Sequence, residues 1–179
     1  LTEEIFAKVF DDSDFHQHNN VARELYALEG EFFTGALKKN TLKGLEAYYA
    51  AIRAAAAQIG SHSEKQTFLK VIYENFYKVY NTKAADRLGV VYTPNEIVRF
   101  MIDGADWLCE QHFGKNLIDK DVDILDPATG TGTYICELLE HFRGQPKKLE
   151  HKYRHELHAN EVAILPYYVA NLNIESTYA

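Results

Sequence analysis

The sequence predicts an α/β protein, with an N-terminal helical region followed by an incomplete parallel sheet. Two observations predict this class. Apolar residues recur at helical spacing in the first part of the chain. After residue 120, two short apolar segments alternate with helical ones, an order that builds a parallel sheet. The sequence stops after the second pair, so we expect a helical region over residues 1–85 and part of an α/β domain over residues 86–179.

Composition and charge limit the class of protein. Apolar residues make up 46% of 179 residues, which is typical of a globular domain and not of a disordered chain. Only two cysteines occur, Cys109 and Cys136, so we expect a reduced, cytoplasmic protein. No segment approaches the roughly 18 consecutive apolar residues that a membrane span needs. Residues 89–179 hold 8 basic and 14 acidic residues, so any nucleic acid must be bound by another part of the polypeptide.

Two helices are predicted within the N-terminal region. The first covers residues 41–60, with Thr41 as the N-cap and Gly60 at the C-terminal end. The second begins at a capping box of Ser63 and Gln66 and continues to residue 80. Its large side chains share one helix face, for which packing in a core is favoured over binding of a ligand. These side chains are Leu69, Tyr73, Phe76 and Tyr80.

A third helix follows the boundary segment at residues 81–89. Thr93 is its predicted N-cap, Pro94 its first residue, and Glu96 completes a capping box. Gly114 is expected to end it. The apolar residues at helical spacing are expected to form its buried face, namely Ile97, Phe100, Met101, Ala105 and Leu108.

The α/β part alternates strands and helices. The pattern predicts strand 121–126, helix 133–144, strand 152–161 and helix 164–175, with a loop at residues 144–151. Pro166 fits the last helix only in its first turn, where backbone N–H groups lack partners. Three histidines could hold a metal ion, but solvated or strand-surface histidines are favoured and no metal is expected. They are His151, His155 and His158.

The turn after the first strand reads "DPATGTGTY" and lies where such sheets bind ligands. Gly130 and Gly132 permit a tight turn, and the following helix start offers N–H groups to a negative group. A nucleoside triphosphate would need a lysine after the last glycine, and a dinucleotide would need glycine where Ile135 stands. A nucleoside without phosphates, such as S-adenosylmethionine, fits better, because Asp126 repels phosphate and attracts an ammonium group.

An acidic residue on the next strand supports a nucleoside ligand. Ribose hydroxyls in such folds are held by an acid after the second strand. Glu161 has this position and type. The alternative, a solvated acid at a helix start, is the weaker interpretation.

Three segments together resemble the motifs of adenine-N6 DNA methyltransferases. They are "GVVYTPNEIVRFM" (89–101), "ILDPATGTGTY" (124–134) and "HANEVAILPYYVANLNI" (158–174). "YNTKAADRLGVVYTP" and "DPATGTGTY" are similar, more narrowly, to the methylase region of large single-chain restriction–modification enzymes, which also carry a helicase-like motor and a nuclease. The resemblance implies an incomplete Rossmann-like, S-adenosylmethionine-dependent methyltransferase sheet. It also implies a parent protein that methylates adenine N6 at a specific DNA sequence, binding DNA through parts outside this chain.

The resemblance implies roles for ten residues in binding the cofactor. The motif Tyr92, Thr93 and Pro94 would wrap the methionine end. The loop around the methionine moiety would be formed by Asp126, Ala128, Thr129, Gly130 and Gly132. Glu161 would accept the ribose hydroxyls, and Val162 would pack on the adenine ring. The usual family loop is DPACGSG, and Thr129 and Thr131 replace its Cys and Ser with side chains that are also small.

The family's catalytic motif, Asn/Asp-Pro-Pro-aromatic, does not occur in this sequence. In the family the flipped adenine stacks on that aromatic residue. No catalytic residue is therefore assigned here, and we expect this piece alone to be inactive. Two other interpretations stay open. One is a methyltransferase that acts on RNA or protein, and the other is a non-catalytic coupling or interaction module with a vestigial cofactor fold.

Overall fold

The computed structural model describes residues 19–60 and 93–178, with residue 17 and a few positions between 64 and 75. The chain forms two compact units, Leu1–Ile72 and Tyr73–Ala179. The boundary predicted near residue 85 lies outside the described residues, so the domain limits stay a prediction. No helix in the described ranges is long and apolar enough to cross a membrane.

The described part of the first unit includes the helices α1 (Asn20–Phe32), α2 (Gly35–Lys43) and α3 (Glu46–Ala56). Asn19 caps α1, because its side-chain oxygen accepts a hydrogen bond of 2.9 Å from the Ala22 N–H.

The single helix predicted over residues 41–60 is wrong. Thr41 lies inside α2, and the chain turns at Gly44 and Leu45 before α3 begins. Glycine is a poor helix former, so the helix is interrupted there despite continuous apolar spacing. In the second predicted helix, Leu69 is buried, as core packing requires. The other three large residues of that predicted face lie outside the described residues.

The second unit is built around a two-stranded parallel sheet. Its elements within the described residues are α4 (Asn95–Phe113), β1 (Ile124–Asp126), α5 (Thr133–Phe142), α6 (Pro146–His155), β2 (Leu157–Ala159) and α7 (Ile164–Tyr178). Ile124 pairs with Leu157, and Asp126 pairs with Ala159. The predicted parallel order of the two strands is confirmed, within a chain that is mostly helical. The larger Rossmann-like sheet stays a prediction.

The second strand is shorter than predicted, because residues 146–155 form α6. Pro146 stands in the first turn of this helix, where its missing N–H costs nothing. The fully buried Lys152 donates bonds of 2.7 Å to the carbonyls of Asp119 and Val122 and forms an ion pair with Glu156. These contacts join α6 to the loop before β1. The predicted loop at residues 144–151 and the predicted strand at 152–156 are therefore wrong.

The ends of α4 and α7 follow local sequence signals. Gly114, with a left-handed φ of 65°, ends α4 as predicted. The start of α4 is one residue later than predicted: Pro94 has an extended ψ of 142°, so it occupies the N-cap position in place of Thr93. Pro166 lies in the first turn of α7, as predicted.

The core of the second unit centres on α5. Its buried cluster consists of Val98, Ile102, Ile118, Ile135, Leu138, Leu139 and Phe142. The face of α4 that packs here carries Val98 and Ile102. The predicted buried face of α4 is therefore wrong, since Phe100 is 77% exposed and Ile97 is 50% exposed. Apolar residues cover more than one face of α4. The core packs against the face with Val98 and Ile102, which are each one residue after Ile97 and Met101 of the predicted face.

Candidate functional site

The loop between β1 and α5 is shaped by two glycines. Gly130 and Gly132 have left-handed φ angles of 58° and 90°. A Cβ atom at residue 132 would lie 3.3 Å from the Cα and carbonyl oxygen of Ala170 and 3.3 Å from Cγ1 of Ile174. Gly132 is therefore required by its backbone conformation and by the close approach of α7. The predicted tight turn is confirmed.

Asp126 ends β1 and turns its carboxylate back into the loop. Its Oδ1 accepts a bond of 3.2 Å from the Ala128 N–H. Its Oδ2 is buried and has no hydrogen-bond partner among the described residues. Burial raises the pKa of the Asp126 carboxyl, the Ala128 N–H opposes this, and the nearby charge of Glu161 adds to it. A buried oxygen without a donor is costly, so this position favours a ligand that brings an N–H or a positive charge.

Glu161 follows β2 and binds the same loop. Its Oε2 accepts a bond of 2.9 Å from the Gly130 N–H, and its Oε1 accepts one of 2.8 Å from the Ala163 N–H. The structure thus brings Asp126, Gly130 and Glu161 together, as the sequence suggested. A carboxylate has about four acceptor positions, so Glu161 can still accept bonds from ligand hydroxyls.

Backbone N–H groups of the loop mostly point inward. Besides the donors to Asp126 and Glu161, the Thr129 N–H donates to the Asn160 carbonyl and the Gly132 N–H donates to the Thr129 carbonyl, both at 2.9 Å. A phosphate-binding loop needs such amides free to face the ligand. Four of the amides between residues 128 and 132 are instead used internally. This supports a ligand without phosphate at the loop.

Two asparagines that the sequence reasoning did not single out also hold the loop. The Asn160 N–H donates to the Asp126 carbonyl at 2.9 Å, and its Nδ2 donates to the Pro127 carbonyl at 3.1 Å. Asn173, buried on α7, donates from Nδ2 to the Thr131 carbonyl at 2.9 Å. The available signal was polarity: Asn160 adjoins Glu161, and Asn173 lies between the apolar residues Leu172 and Ile174 of α7.

The Tyr-Thr-Pro motif is only partly described. Tyr92 lies outside the described residues, Thr93 is half-buried and Pro94 is exposed. The next residue, Asn95, donates from Nδ2 to Oε1 of Glu137 at 2.6 Å. The start of α4 is therefore connected to α5, which begins directly after the loop.

The remaining predicted cofactor residues differ in exposure. Thr129 is buried, and its hydroxyl donates to the Asp126 carbonyl at 3.0 Å, so it stabilises the loop from within. Ala128 is exposed, and Val162 is 83% exposed beside Glu161. Contacts of these residues with a cofactor stay predictions.

The histidines have ordinary partners. His151 contacts Glu156 at 3.2 Å, and His158 contacts Asp123 at 3.1 Å. His155 ends α6, so the expectation that it lies on a strand with His158 is wrong. The described residues contain no group of three or more His, Cys, Asp or Glu side chains that could hold a metal ion.

Comparisons with solved structures find close relatives of the chain. DrdV, seen by cryo-EM in a complex with DNA, has a region 56% identical, with a TM-score of 0.89. A nuclease-deletion mutant of the Type ISP restriction–modification enzyme LlaGI, in complex with a DNA substrate mimic, is 31% identical, with a TM-score of 0.75. The ATP-dependent Type ISP restriction–modification enzyme LlaBIII, bound to DNA, is 32% identical, with a TM-score of 0.73.

Each of these alignments covers 99% of this chain but only 17%, 14% and 12% of DrdV, LlaGI and LlaBIII, respectively. A search of curated proteins found no match. The family model described as N-6 DNA Methylase matches residues 64–175, which is most of the chain. This match shows that the chain belongs to the N-6 DNA methylase family.

Proposed function

We propose that the intact protein transfers a methyl group from S-adenosylmethionine to adenine N6 at a specific DNA sequence in a restriction–modification system. The present chain would supply the first part of the cofactor site, on an incomplete Rossmann-like sheet. Membership of the N-6 DNA methylase family supports this proposal. So does the similarity to LlaGI and LlaBIII, which are restriction–modification enzymes.

The unpartnered Oδ2 of Asp126 is the observation that carries the proposal. S-adenosylmethionine has an ammonium group, which would supply the missing donor and offset the cost of burying the carboxylate. The neighbouring Glu161 would accept the ribose hydroxyls with the positions left free by Gly130 and Ala163. Both functions suit a nucleoside that has an amino group and no phosphate.

The other predicted residues would complete one side of the pocket. Ala128, Thr129, Gly130 and Gly132 would shape the loop around the methionine moiety. From the segment before α4, Tyr92, Thr93 and Pro94 would cover it. Val162, exposed beside Glu161, would pack on the adenine ring. When bound, S-adenosylmethionine supplies an electrophilic methyl group, and the residues of this chain hold and orient it.

DNA would be bound by parts of the intact protein outside this chain. The second half of the chain has an excess of acidic residues and would not attract a phosphate backbone. We propose that the same polypeptide carries helicase and nuclease regions and acts in the cytoplasm. The residues that catalyse methyl transfer would also lie outside this chain.

A methyl-transfer assay on the intact protein tests this function. DNA incubated with labelled S-adenosylmethionine is digested to nucleosides and analysed for N6-methyladenine. We expect this product from the wild type and its loss in Asp126→Ala and Glu161→Ala. Asp123→Ala is the matched control, because Asp123 is exposed beside β1 and, among the described residues, pairs with His158 at the surface. Absence of N6-methyladenine from DNA treated with the wild type would refute the proposal.

A further inference from the structure

Glu137 is a buried carboxylate in an apolar part of α5. Its side chain is only 9% exposed, and its neighbours Cys136 and Leu138 are buried. A buried charge is costly unless it is paired and hydrogen-bonded. The contacts of Glu137 therefore need an explanation.

Both partners of Glu137 come from the start of α4. Asn95 donates from Nδ2 to Oε1 at 2.6 Å. Arg99 donates from Nε to Oε2 at 2.8 Å, and its Nη2 lies 3.5 Å from Oε1. The hydrogen bond and the charge of Glu137 raise the pKa of the Arg99 guanidinium. Glu137 is thus bound by two side chains that are one helical turn apart.

These contacts connect the two segments that are predicted to surround the methionine end of the cofactor. Asn95 directly follows Thr93 and Pro94, and Glu137 lies one turn into the helix that begins after Gly132. A second contact, from the Tyr134 hydroxyl to the Met101 sulfur at 2.9 Å, joins the same two helices further along α4. Two points of contact fix both the separation and the rotation of α4 relative to the loop.

Stability alone does not account for a carboxylate at this position. The Arg99 end of the ion pair is 57% exposed, so solvent screens the attraction while Glu137 still bears the cost of burial. An apolar residue would match the buried neighbours of this position on α5, Cys136 and Leu138. A directed, multiply bonded carboxylate instead specifies one orientation of α4.

We propose that Glu137 is a positioning residue that holds the Thr93–Pro94 segment in place against the loop at residues 126–132. It would not touch the cofactor itself. Through Asn95 and Arg99 it would keep the two segments of the pocket at the spacing that the cofactor requires. This inference rests on the proposed function.

Calorimetry and hydrogen exchange on the intact protein test the inference with Glu137→Gln. Glutamine keeps the shape but presents an N–H group to the donors of α4. We expect S-adenosylhomocysteine to bind roughly tenfold more weakly, the effect of losing one charge-assisted hydrogen bond. Backbone amides of residues 95–99 should exchange faster, with little change in β1 and β2. Glu140→Gln is the control, because Glu140 is exposed and pairs with Arg143, the residue that follows the same helix.

A second variant keeps the inference falsifiable if Glu137→Gln fails to fold. The Arg99 side chain, which donates to Glu137, is 57% exposed. Arg99→Gln removes this donor and, like Glu137→Gln, should weaken the binding of S-adenosylhomocysteine. In the double variant, the fold loss of affinity for S-adenosylhomocysteine should be smaller than the product of the two single losses. Both substitutions act through one contact, so their effects are not independent.

The outcomes separate the two proposals. Affinity within twofold of wild type in both variants, or unchanged exchange at residues 95–99, would overturn the positioning role. A general loss of protection across the second unit would instead indicate a merely structural role and would also overturn it. If the wild type does not bind S-adenosylhomocysteine, the proposed function fails, and hydrogen exchange still shows whether Glu137 fixes α4.

Discussion

The contact between the loop and α7 yields a matched pair of substitutions, Gly132→Ala and Gly130→Ala. Both residues have left-handed φ angles, so alanine costs about 1–2 kcal/mol at either position. Around Gly130 a new Cβ meets nothing within 4 Å. Around Gly132 it meets the backbone of Ala170 and the side chain of Ile174 at 3.3 Å. Overpacking typically adds about 1–3 kcal/mol, so Gly132→Ala should lose about 2–5 kcal/mol in total.

Peptide-resolved hydrogen exchange on the intact protein measures this difference locally, without assuming that the whole chain unfolds in one step. The free energy of opening should fall in α5 and α7 in both variants, and by about 1–3 kcal/mol more in Gly132→Ala than in Gly130→Ala. Equal losses in the two variants would refute the argument that α7 closes directly on the loop. A larger loss in Gly130→Ala would refute it as well.

Further predictions concern the buried contacts of α6, α7 and β2. Burial opposes ionisation of Glu156, but bonds from Lys152, the Asp121 N–H and His151 outweigh it and lower its pKa to about 2 from 4.5. Ionised Glu156 therefore stabilises the fold by at most about 3 kcal/mol, fully above pH 4.5 and progressively less as the pH falls toward 2. Circular dichroism during an acid titration should show this loss. Glu156→Gln should remove that pH dependence, and an unchanged acid transition would contradict the assignment. Lys152→Met should destabilise α6 by about 3–5 kcal/mol in hydrogen exchange, because the buried Glu156 loses its lysine partner and keeps only the Asp121 N–H and His151. Lys147→Met, on the exposed side of α6, should not destabilise it. Asn173→Ala should increase exchange at residues 130–132 by freeing the Thr131 carbonyl, at a cost of about 1–3 kcal/mol, and unchanged exchange there would count against that role.

Features that depend on local chemistry could be predicted from the sequence. Gly114 ends α4 because only a residue without Cβ adopts a left-handed conformation at low cost. Pro166 lies in the first turn of α7 because proline lacks the N–H that positions further along a helix must donate. The turn at Gly130 and Gly132 was predictable for the same reason. The placement of Asp126 beside Glu161 followed from the parallel order of two strands.

Features that depend on distant contacts could not be predicted in this way. Residues 146–155 contain few apolar residues, and the sequence predicted a loop as far as residue 151 and a strand from residue 152. Their helical state is stabilised by Lys152, whose partners Asp119 and Val122 lie about 30 residues earlier in the chain. The orientation of α4 is likewise set by Glu137, a residue on another helix. Periodicity showed that α4 was amphipathic, but only packing determined which part of its apolar sector is buried.

Binding of S-adenosylhomocysteine to the intact protein tests the central claim most directly, namely that Asp126 and Glu161 form part of a methyl-donor pocket. Isothermal titration calorimetry would compare the wild type with Asp126→Ala, Glu161→Ala and the control Asp123→Ala. We predict binding to the wild type and the control, and its loss in the other two variants. Unchanged affinity in both Asp126→Ala and Glu161→Ala would contradict the account.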